Sequence, residues 1–567
     1  MTLSTSSVSV GSTDPVTVAV SDSDDDGTLD AGTTKAAVAA AVDQGERVED
    51  LSQRTESVSV YANPDRTFTQ RDFGGTARIK QSGEWVPVDY TLVKQADGTY
   101  APKASDLDIT VDGGSAKEAA RVTRPDGTSL AFTWPTNLPE PTVDGGVATY
   151  EISDSTDLLV TVTGSGVTAR IRLNEQPDED DPVFRLGLRA DGVDVDQTSA
   201  GGLKITDENG KTVGSTTQLS AWDAVKDAAG DPANMVDLDA ELDTTATDGD
   251  LTQHTLDLTT PTGYLTDSGT QYPVIIDPDI TMEKTRDTWV RNGDTAKGSD
   301  YRLIVGKVDP AISPGNSNPA RSYLKFFNNL VDSNVNTEII SAELGLWQYY
   351  GYTCNNRTMN INPVTIGWKD TITWSTRPGS QTSGSTSIVA NRGASGCADG
   401  WTKVNLTNMA KAWNNGTINM EGIALVAGDE TIHSAERRFC SMNPDSSSTC
   451  TAARRPYLDV TYEIEPGLPA MTAYGIDEYE LEDMQAAAVD EGITLASAIA
   501  KYGWQNGFAQ TASQVSQSYP EYFSRAEVEE GGSQGAVIHM TTSTPASIQL
   551  QVDGLTSGVS VPVRHGR

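Results

Sequence analysis

In the ten-residue stretch Ile340-Ser-Ala-Glu-Leu-Gly-Leu-Trp-Gln-Tyr349, the character of the side chains alternates with a period of two. That period is typical of a β-strand whose two faces have different surroundings. Three apolar side chains share one face, and we expect them to lie on a hydrophobic core: Ala342, Leu344 and Leu346. The sequence therefore predicts a half-buried strand here.

The opposite face of this strand carries Glu343, Trp347 and Tyr349. If it is open to solvent, the two aromatic side chains lie next to each other and form a flat apolar surface. Such surfaces bind the apolar faces of sugar rings. The alternative is that a loop or a neighbouring domain covers this face, and the alternation leaves both interpretations open.

The surrounding residues 281–462 are also rich in short strands, separated by long turns such as Ser313-Pro-Gly-Asn-Ser-Asn-Pro319. Two sheets packed as a sandwich are the natural solution for this pattern. Residues 283–462 contain 18 Lys and Arg against 16 Asp and Glu, whereas the whole chain has a net charge of −38. They also hold six of the ten tryptophans and all four cysteines, so we expect a separate unit here.

The four cysteines allow three pairings: Cys354, Cys397, Cys440 and Cys450. The last two enclose a short Ser-rich loop and favour a local disulfide, which leaves the first two to pair across the fold. A zinc site is the alternative, but zinc prefers closely spaced ligands and these spacings are wide. Disulfides indicate an oxidising compartment.

Several short motifs occur in this region in the same order as in a known protein family. They are Asp287-Thr-Trp-Val, Ala320-Arg-Ser-Tyr-Leu-Lys-Phe, Trp368-Lys-Asp-Thr-Ile-Thr-Trp-Ser-Thr-Arg-Pro378, Ala412-Trp-Asn-Asn-Gly416 and Arg455-Pro-Tyr-Leu-Asp-Val-Thr-Tyr462. The region resembles the DNRLRE domain, a jelly-roll module akin to carbohydrate-binding module family 96. The resemblance implies a secreted bacterial protein, often actinobacterial, and implies that Trp368 and Trp374 are packing residues. Basic pairs near the Ser-rich loop are further candidates for glycan binding, or for balancing nearby acids: Arg437-Arg438 and Arg454-Arg455.

Residues 51–280 read as antiparallel β-structure. Short alternating runs are separated by pairs that favour the positive φ of tight turns, namely Asp97-Gly98, Asp126-Gly127, Asp191-Gly192 and Asn209-Gly210. One short helix is predicted around Ala221–Ala228.

Residues 1–50 are polar and acidic, and we expect the start to lack a core. Their spacing of Asp22, Asp24, Asp26 and Asp30 resembles the first half of a calcium-binding loop, although position twelve is Thr33 instead of Glu. A solvated acidic tail is the favoured alternative. The first 26 residues show no secretory signal, so we expect any such signal to have been removed or to lie upstream of this sequence. A cytosolic protein is the alternative.

After a linker at 463–470, residues 471–567 differ from the rest of the chain in composition, with helix-forming segments followed by strands. Residues 477–490 and 494–515 are helical in composition, and strands are predicted at Ala536–Met540 and Ser547–Val552. This small α/β region is similar to the pro-segment of secreted chymotrypsin-like proteases. The resemblance implies a protease as a partner of this region.

Composition and motifs exclude several functions. The chain has 41 Lys and Arg against 79 Asp and Glu over 567 residues, which argues against general binding to nucleic acid or to an anionic membrane. It has no apolar run long enough to span a membrane. Gly531-Gly-Ser-Gln-Gly535 fits a nucleophile motif formally, but it lacks the strand before and the helix after. The four histidines are far apart, and we expect them to be surface or structural residues: His254, His433, His539 and His565.

We therefore expect a mainly β, multi-domain protein of antiparallel β-sandwich (jelly-roll) architecture, secreted and without catalytic activity or a required cofactor, calcium apart. Its ligand would be a polysaccharide or a cell-surface glycan. The residues expected to bind it are Trp347, Tyr349, Arg437 and Arg438. The main alternative is a structural spacer or shell of a bacterial cell-surface protein or toxin. A third interpretation is a chaperone or inhibitor of a protease.

Overall fold

The computed structural model describes residues 29–464 apart from 33, 199–200, 217–218, 228, 250, 279, 282–285, 295–296, 299, 310–316, 327–336, 370 and 444–448. Outside that range it describes four short strands: β1 (Thr5–Val8), β2 (Val16–Ala19), β38 (Ile538–Thr541) and β39 (Gln549–Val552). The chain is mainly β, as the sequence predicts. It divides into two compact units, one of residues 1–71, 334–341 and 460–567, the other of residues 72–333 and 342–459.

The first unit contains a small β-α-β arrangement. Its elements are β3 (Leu29–Ala31), α1 (Thr34–Gln44), β4 (Val48–Asp50), a 3₁₀ turn (Leu51–Gln53), β5 (Val58–Ala62) and β6 (Phe68–Asp72). The parallel strands β3 and β4 flank α1, whose apolar side chains Ala37, Val38 and Ala41 are buried. The expectation that residues 1–50 lack a core is therefore wrong for the described residues 29–50.

The same unit contains the two terminal hairpins. Strands β1 and β2 pair antiparallel, as do β38 and β39. The second hairpin lies where the sequence predicts two strands near the C-terminus. The predicted helices at 477–490 and 494–515 lie outside the described residues, and so does most of the segment compared with protease pro-segments.

The second unit begins with a β-sandwich. Its strands are β7 (Arg78–Gln81), β8 (Glu84–Pro87), β9 (Asp89–Lys94), β10 (Tyr100–Ala104), β11 (Asp108–Val111), β12 (Glu118–Thr123), β13 (Ser129–Thr133), β14 (Thr142–Asp144), β15 (Val147–Ser153), β16 (Thr156–Thr163), β17 (Gly166–Leu173), β18 (Phe184–Asp191), β19 (Val193–Gln197), β20 (Leu203–Asp207), β21 (Thr212–Thr216), β22 (Ser220–Trp222), β23 (Met235–Asp237), β24 (Asp239–Asp248), β25 (Leu251–Thr259), β26 (Val274–Asp277) and β27 (Ile280–Thr281).

Two large antiparallel sheets enclose one hydrophobic core in this sandwich. Their strand orders are β24-β25-β18-β13-β12-β11-β10-β9 and β14-β15-β16-β17-β26-β22-β23. Alternate residues of each strand point inward, as Leu158 and Val160 do from β16. The predicted turns form at Asp97-Gly98, Asp126-Gly127 and Asn209-Gly210, and the glycine has positive φ in each. Gly192 also has positive φ, but Asp191-Gly192 is a bend between β18 and β19, which belong to different sheets. We call residues 72–281 the sandwich.

The predicted helix at Ala221–Ala228 is wrong. Ser220–Trp222 instead forms a strand between β23 and β26. The buried Asp223 carboxylate then accepts the backbone N–H groups of Val225 and Gln271, both at 3.0 Å. Asp side chains compete in this way with helical hydrogen bonding, so tertiary pairing overrides helical composition here.

A second β-sandwich follows, which we call the module (residues 287–459 of the second unit). Its elements are β28 (Asp287–Arg291), β29 (Arg302–Lys307), β30 (Pro319–Leu324), β31 (Thr337–Gly351), β32 (Arg357–Pro363), β33 (Thr386–Ala390), β34 (Gly400–Asn405), α2 (Thr407–Asn414), β35 (Ile423–Ala427), a 3₁₀ turn (His433–Ala435), β36 (Arg437–Cys440), a second 3₁₀ turn (Ala452–Arg454) and β37 (Tyr457–Ile464).

The strand order of the module is β37-β31-β36-β29-β30-β35-β32-β33, with β28 added beside β30 and β34 beside β31. Strand β29 pairs with β36 through Arg302–Val305 and with β30 through Gly306–Lys307. Gly306 turns this corner with a φ of 96°, and a Cβ there would lie 2.7 Å from the Ala435 carbonyl oxygen. Only glycine fits such a position.

The strand predicted at residues 340–349 is confirmed as part of β31, and its apolar face lies on the core. Ala342, Leu344 and Leu346 are all buried. The other face of the same strand is then directed away from this core, and it holds the candidate site. None of the described helices is long and apolar enough to span a membrane.

Candidate functional site

An aromatic cluster covers the outer face of β31. Trp347 is the direct cross-strand partner of Trp401 on β34. Their ring centroids lie 5.4 Å apart with the rings almost perpendicular, and Trp401 contacts Tyr457 of β37 edge-to-face at 5.0 Å. These distances are those of favourable aromatic pairs. We call Trp347, Trp401 and Tyr457 the platform.

Gly345 makes room for the platform. It lies on the same face of β31 as Trp347, two residues earlier. A Cβ added there would lie 2.2 Å from Cε1 and 2.3 Å from Cζ of Tyr457. The tyrosine ring therefore lies directly on the glycine backbone, in the position from which it contacts Trp401.

Two ion pairs border the platform. The Arg454 guanidinium lies 4.4 Å from the centre of the Trp347 ring and 3.9 Å from an Asp399 carboxylate oxygen. Lys403 Nζ lies 2.9 Å from Glu343 Oε1, and this hydrogen bond raises the pKa of Lys403. All four charged side chains are at least one-third exposed. Exposed ion pairs of this kind contribute little to the folding stability. Their side chains can therefore exchange a protein partner for a ligand.

The two indoles are half-buried, while Tyr457 is buried. Trp347 Nε1 is buried and has no hydrogen-bond partner among the described residues. The part of the Trp347 side chain that solvent reaches is therefore carbon. Aromatic carbon surrounded by charged and hydrogen-bonding groups suits a sugar ring, whose faces are apolar and whose edge carries hydroxyls.

Tyr349 is half-buried, as Trp347 is, but its hydroxyl is engaged inside the protein, so its place beside Trp347 in a sugar-binding surface stays a prediction. The Tyr349 hydroxyl donates a hydrogen bond of 3.0 Å to Oδ2 of Asp231, which belongs to the sandwich. Burial raises the pKa of Tyr349 well above its usual range. The two half-buried side chains thus differ in their polar atoms, since the Tyr349 hydroxyl is hydrogen-bonded to the sandwich whereas Trp347 Nε1 has no partner among the described residues.

The burial of Arg437 contradicts its predicted role in binding a ligand. Its side chain is fully buried, and burial lowers its pKa to about 10. The guanidinium donates to the backbone carbonyls of Ala390, Asn355 and Glu436 at 2.8, 3.0 and 2.6 Å. Its role is to satisfy loop carbonyls inside the fold.

Arg438 is equally inaccessible, at 2% exposure. It donates to Glu436 Oε1 at 2.8 and 3.0 Å and to Asp227 and Asp231 at 2.5 Å each. Nearby carboxylates raise the pKa of Arg438 well above its usual range although burial opposes this. A buried guanidinium with all these partners has no donor to offer a glycan.

Sequence reasoning missed Trp401 and Tyr457, and it considered Arg454 as a further donor without including it among the expected binding residues. The alternation of Trp401-Thr-Lys-Val-Asn405 does predict a strand with Trp401 and Lys403 on one face. Its position beside Trp347 depends on the register of β31 with β34, which nonlocal pairing decides.

The four cysteines form two disulfides in the described structure. Cys354 pairs with Cys397 and Cys440 with Cys450, with Cα atoms 5.8 and 5.1 Å apart. This is the pairing that the short Ser-rich loop favours, and it leaves no thiolate for zinc.

The described residues hold no group of three or more His, Cys, Asp or Glu side chains that could bind a metal ion. Of the residues in the calcium-like spacing, Asp30 is buried in β3, whereas Asp22, Asp24 and Asp26 lie outside the described residues. Calcium binding there stays a prediction.

The other candidate residues that the structure describes pack or form hydrogen bonds within the fold. His254 is buried in the sandwich with Nδ1 3.2 Å from the Thr244 hydroxyl, and His433 Nδ1 donates to the Val308 carbonyl at 2.8 Å. Trp368 and Trp374 pack against the buried cluster around Tyr323. The Gly531–Gly535 motif lies outside the described residues.

Comparison with known proteins supports the module. Residues 278–444 match the sequence profile of carbohydrate-binding module family 96. The prediction of a module related to that family is thereby confirmed for this stretch. The platform residues Trp347 and Trp401 lie within the matched range, whereas Tyr457 and Arg454 follow it.

Two longer bacterial proteins also align. The tRNA nuclease WapA of Bacillus subtilis (strain 168) is 23% identical over 301 residues, which are 51% of this chain and 12% of that protein. The tRNA3(Ser)-specific nuclease WapA of Bacillus spizizenii is 25% identical over 234 residues, 39% of this chain and 9% of that protein. The chain therefore covers only about a tenth of the length of these relatives.

Proposed function

We propose that this protein binds carbohydrate without catalysis, through the platform on the outer face of the module. The observation that carries the proposal is the pairing of two half-buried indoles, Trp347 and Trp401, inside a stretch that matches a carbohydrate-binding family. Burial of aromatic carbon against a sugar ring supplies affinity, and the bordering ion pairs supply hydrogen bonds to hydroxyls or carboxylates.

The two disulfides support a secreted protein, because such bonds persist in oxidising compartments. The absence of a recognisable catalytic motif in the sequence is the ground for proposing binding alone. A polysaccharide or a cell-surface glycan is the proposed partner.

The test is binding of the full chain to a panel of neutral and acidic polysaccharides, followed by affinity electrophoresis and calorimetry on any that bind. We expect Trp347→Ala and Trp401→Ala each to weaken binding at least about tenfold, equivalent to about 1.4 kcal/mol. Trp85→Ala is the matched control. Trp85 is also half-buried on a hairpin and lies 4.8 Å from a cation, Lys80, but it belongs to the sandwich.

Equal affinity of all three variants and the wild type for a bound glycan would overturn the placement of the site. No binding to any polysaccharide by the correctly folded chain would overturn the function.

A structural spacer in a longer cell-surface protein is the second candidate. It is proposed because half of this chain aligns, at 23% identity, with a small part of much longer proteins, an alignment that does not by itself favour a spacer over carbohydrate binding. The same panel distinguishes the two functions, since a spacer has no affinity that depends on Trp347 or Trp401.

A further inference from the structure

The sandwich and the module meet through a buried group of charged and hydroxyl side chains. The sandwich contributes Asp227 and Asp231, which lie between β22 and β23. The module contributes side chains from three separate strands or their ends. We call the whole group the junction cluster: Asp227, Asp231, Tyr301, Arg302, Tyr349 and Arg438.

Asp231 is the centre of the junction cluster. Its Oδ1 accepts a hydrogen bond of 2.6 Å from the Tyr301 hydroxyl. Its Oδ2 accepts one of 3.0 Å from Tyr349 and one of 2.5 Å from Arg438, and Arg302 lies 3.8 Å away. Because these donors come from β31, β36 and the start of β29, one sandwich carboxylate fixes three parts of the module at once.

The turn that contains Asp227 also holds its carboxylate in place for a contact with Arg438. Its Oδ1 accepts the backbone N–H groups of Ala229 and Asp231 at 2.8 and 3.0 Å. Its Oδ2 then accepts Arg438 at 2.5 Å. One oxygen therefore fixes the sandwich turn, and the other crosses to the module.

The charged side chains of the junction cluster are almost completely excluded from water. The side chains of Asp227, Asp231 and Arg438 are 3–5% exposed. The two arginines lower the pKa of Asp231 despite its burial. A buried charge that loses its partner is strongly unfavourable, so opening the junction requires every member to be rehydrated together. Charged groups buried in this way also define one orientation, since shifted arrangements leave charges unpaired.

We propose that the junction cluster joins the sandwich and the module into one rigid unit, which opens and unfolds as a whole. The sandwich is then the fixed support of the module, irrespective of what the platform binds. Residues 72–333 and 342–459 lie in one compact unit, which agrees with this.

The test is native-state hydrogen exchange of the full chain over a series of low urea concentrations. In the wild type, we expect the backbone amides of β22, β29 and β36 to exchange through one common opening. In Asp231→Ala, we expect exchange in β29 and β36 to rise at least about tenfold. Exchange in the sandwich core strand β16 should stay unchanged.

Asp257→Ala is the matched control. It also removes a sandwich carboxylate paired with an arginine, Arg185, but this pair is exposed. We expect no change in β29 or β36. Tyr301→Phe combined with Tyr349→Phe removes two hydroxyl hydrogen bonds without unbalancing charge, and each lost bond should raise exchange about fivefold. This second variant also tests the proposal if Asp231→Ala does not fold.

Separate openings of β22 and β29 in the wild type would overturn the proposal. So would exchange in the double tyrosine variant that equals the wild type, or equal exchange in folded Asp231→Ala and Asp257→Ala.

Discussion

Gly345→Ala should disturb the platform by adding a single carbon atom. Gly345 lies inside the extended strand β31, so alanine fits the backbone. Its Cβ, however, would lie 2.2, 2.3 and 2.8 Å from three ring atoms of Tyr457. The ring has to move, and overpacking of this kind costs about 1–3 kcal/mol of folding free energy.

A double-mutant cycle identifies the cause of that loss. Tyr457 is 7% exposed, and truncating a buried aromatic side chain costs about 3–5 kcal/mol. Once Tyr457 is alanine, the added Cβ at 345 meets no ring. We therefore expect Gly345→Ala/Tyr457→Ala to be about as stable as Tyr457→Ala alone, which corresponds to a coupling of about 1–3 kcal/mol.

The assay is urea unfolding followed by tryptophan fluorescence, since six of the ten tryptophans belong to the module. Gly379→Ala is the control, because a Cβ there meets nothing within 4 Å, and it should cause no loss of stability. Additive losses in the double variant would refute the reasoning, and so would a Gly345→Ala protein that unfolds at the wild-type urea concentration.

Three further predictions concern stability. Breaking the Cys354–Cys397 disulfide by double alanine substitution should cost about 4 kcal/mol, from a sequence separation of 43, measured by urea unfolding. Breaking Cys440–Cys450, with a separation of 10, should cost about 3 kcal/mol, and the reverse order of the two losses would contradict the loop-entropy argument. Burial lowers the pKa of His254 below 6.5, so the unfolded chain binds its proton first and stability falls as the pH drops below about 6.5. The wild type should lose up to about 1.4 kcal/mol per pH unit more than His254→Gln between pH 6.5 and 5.5, and parallel pH profiles of the two would disprove this.

Local patterns predicted the elements on which the site is built. The alternation around Trp347 predicted strand β31 and its core face, and the Asp-Gly pairs predicted turns whose glycines have positive φ. These features depend on near neighbours in the sequence, so a short window contains the information.

The rest of the site depends on contacts between distant residues. Tyr349 and Arg438 looked available because nothing near them in the sequence reveals Asp231, more than one hundred residues earlier. Trp401 joined the platform through strand register. The predicted helix at Ala221–Ala228 does not form, because β23 and β26 pair with Ser220–Trp222 on either side.

The most direct test of the platform is ¹⁹F NMR of the full chain labelled with 5-fluorotryptophan, titrated with a polysaccharide that binds. Trp→Phe variants assign the ten signals. The account predicts that the signals of Trp347 and Trp401 shift together and saturate with the binding curve, while the sandwich signal of Trp85 stays constant. Saturable binding that leaves the signals of Trp347 and Trp401 unchanged would contradict it.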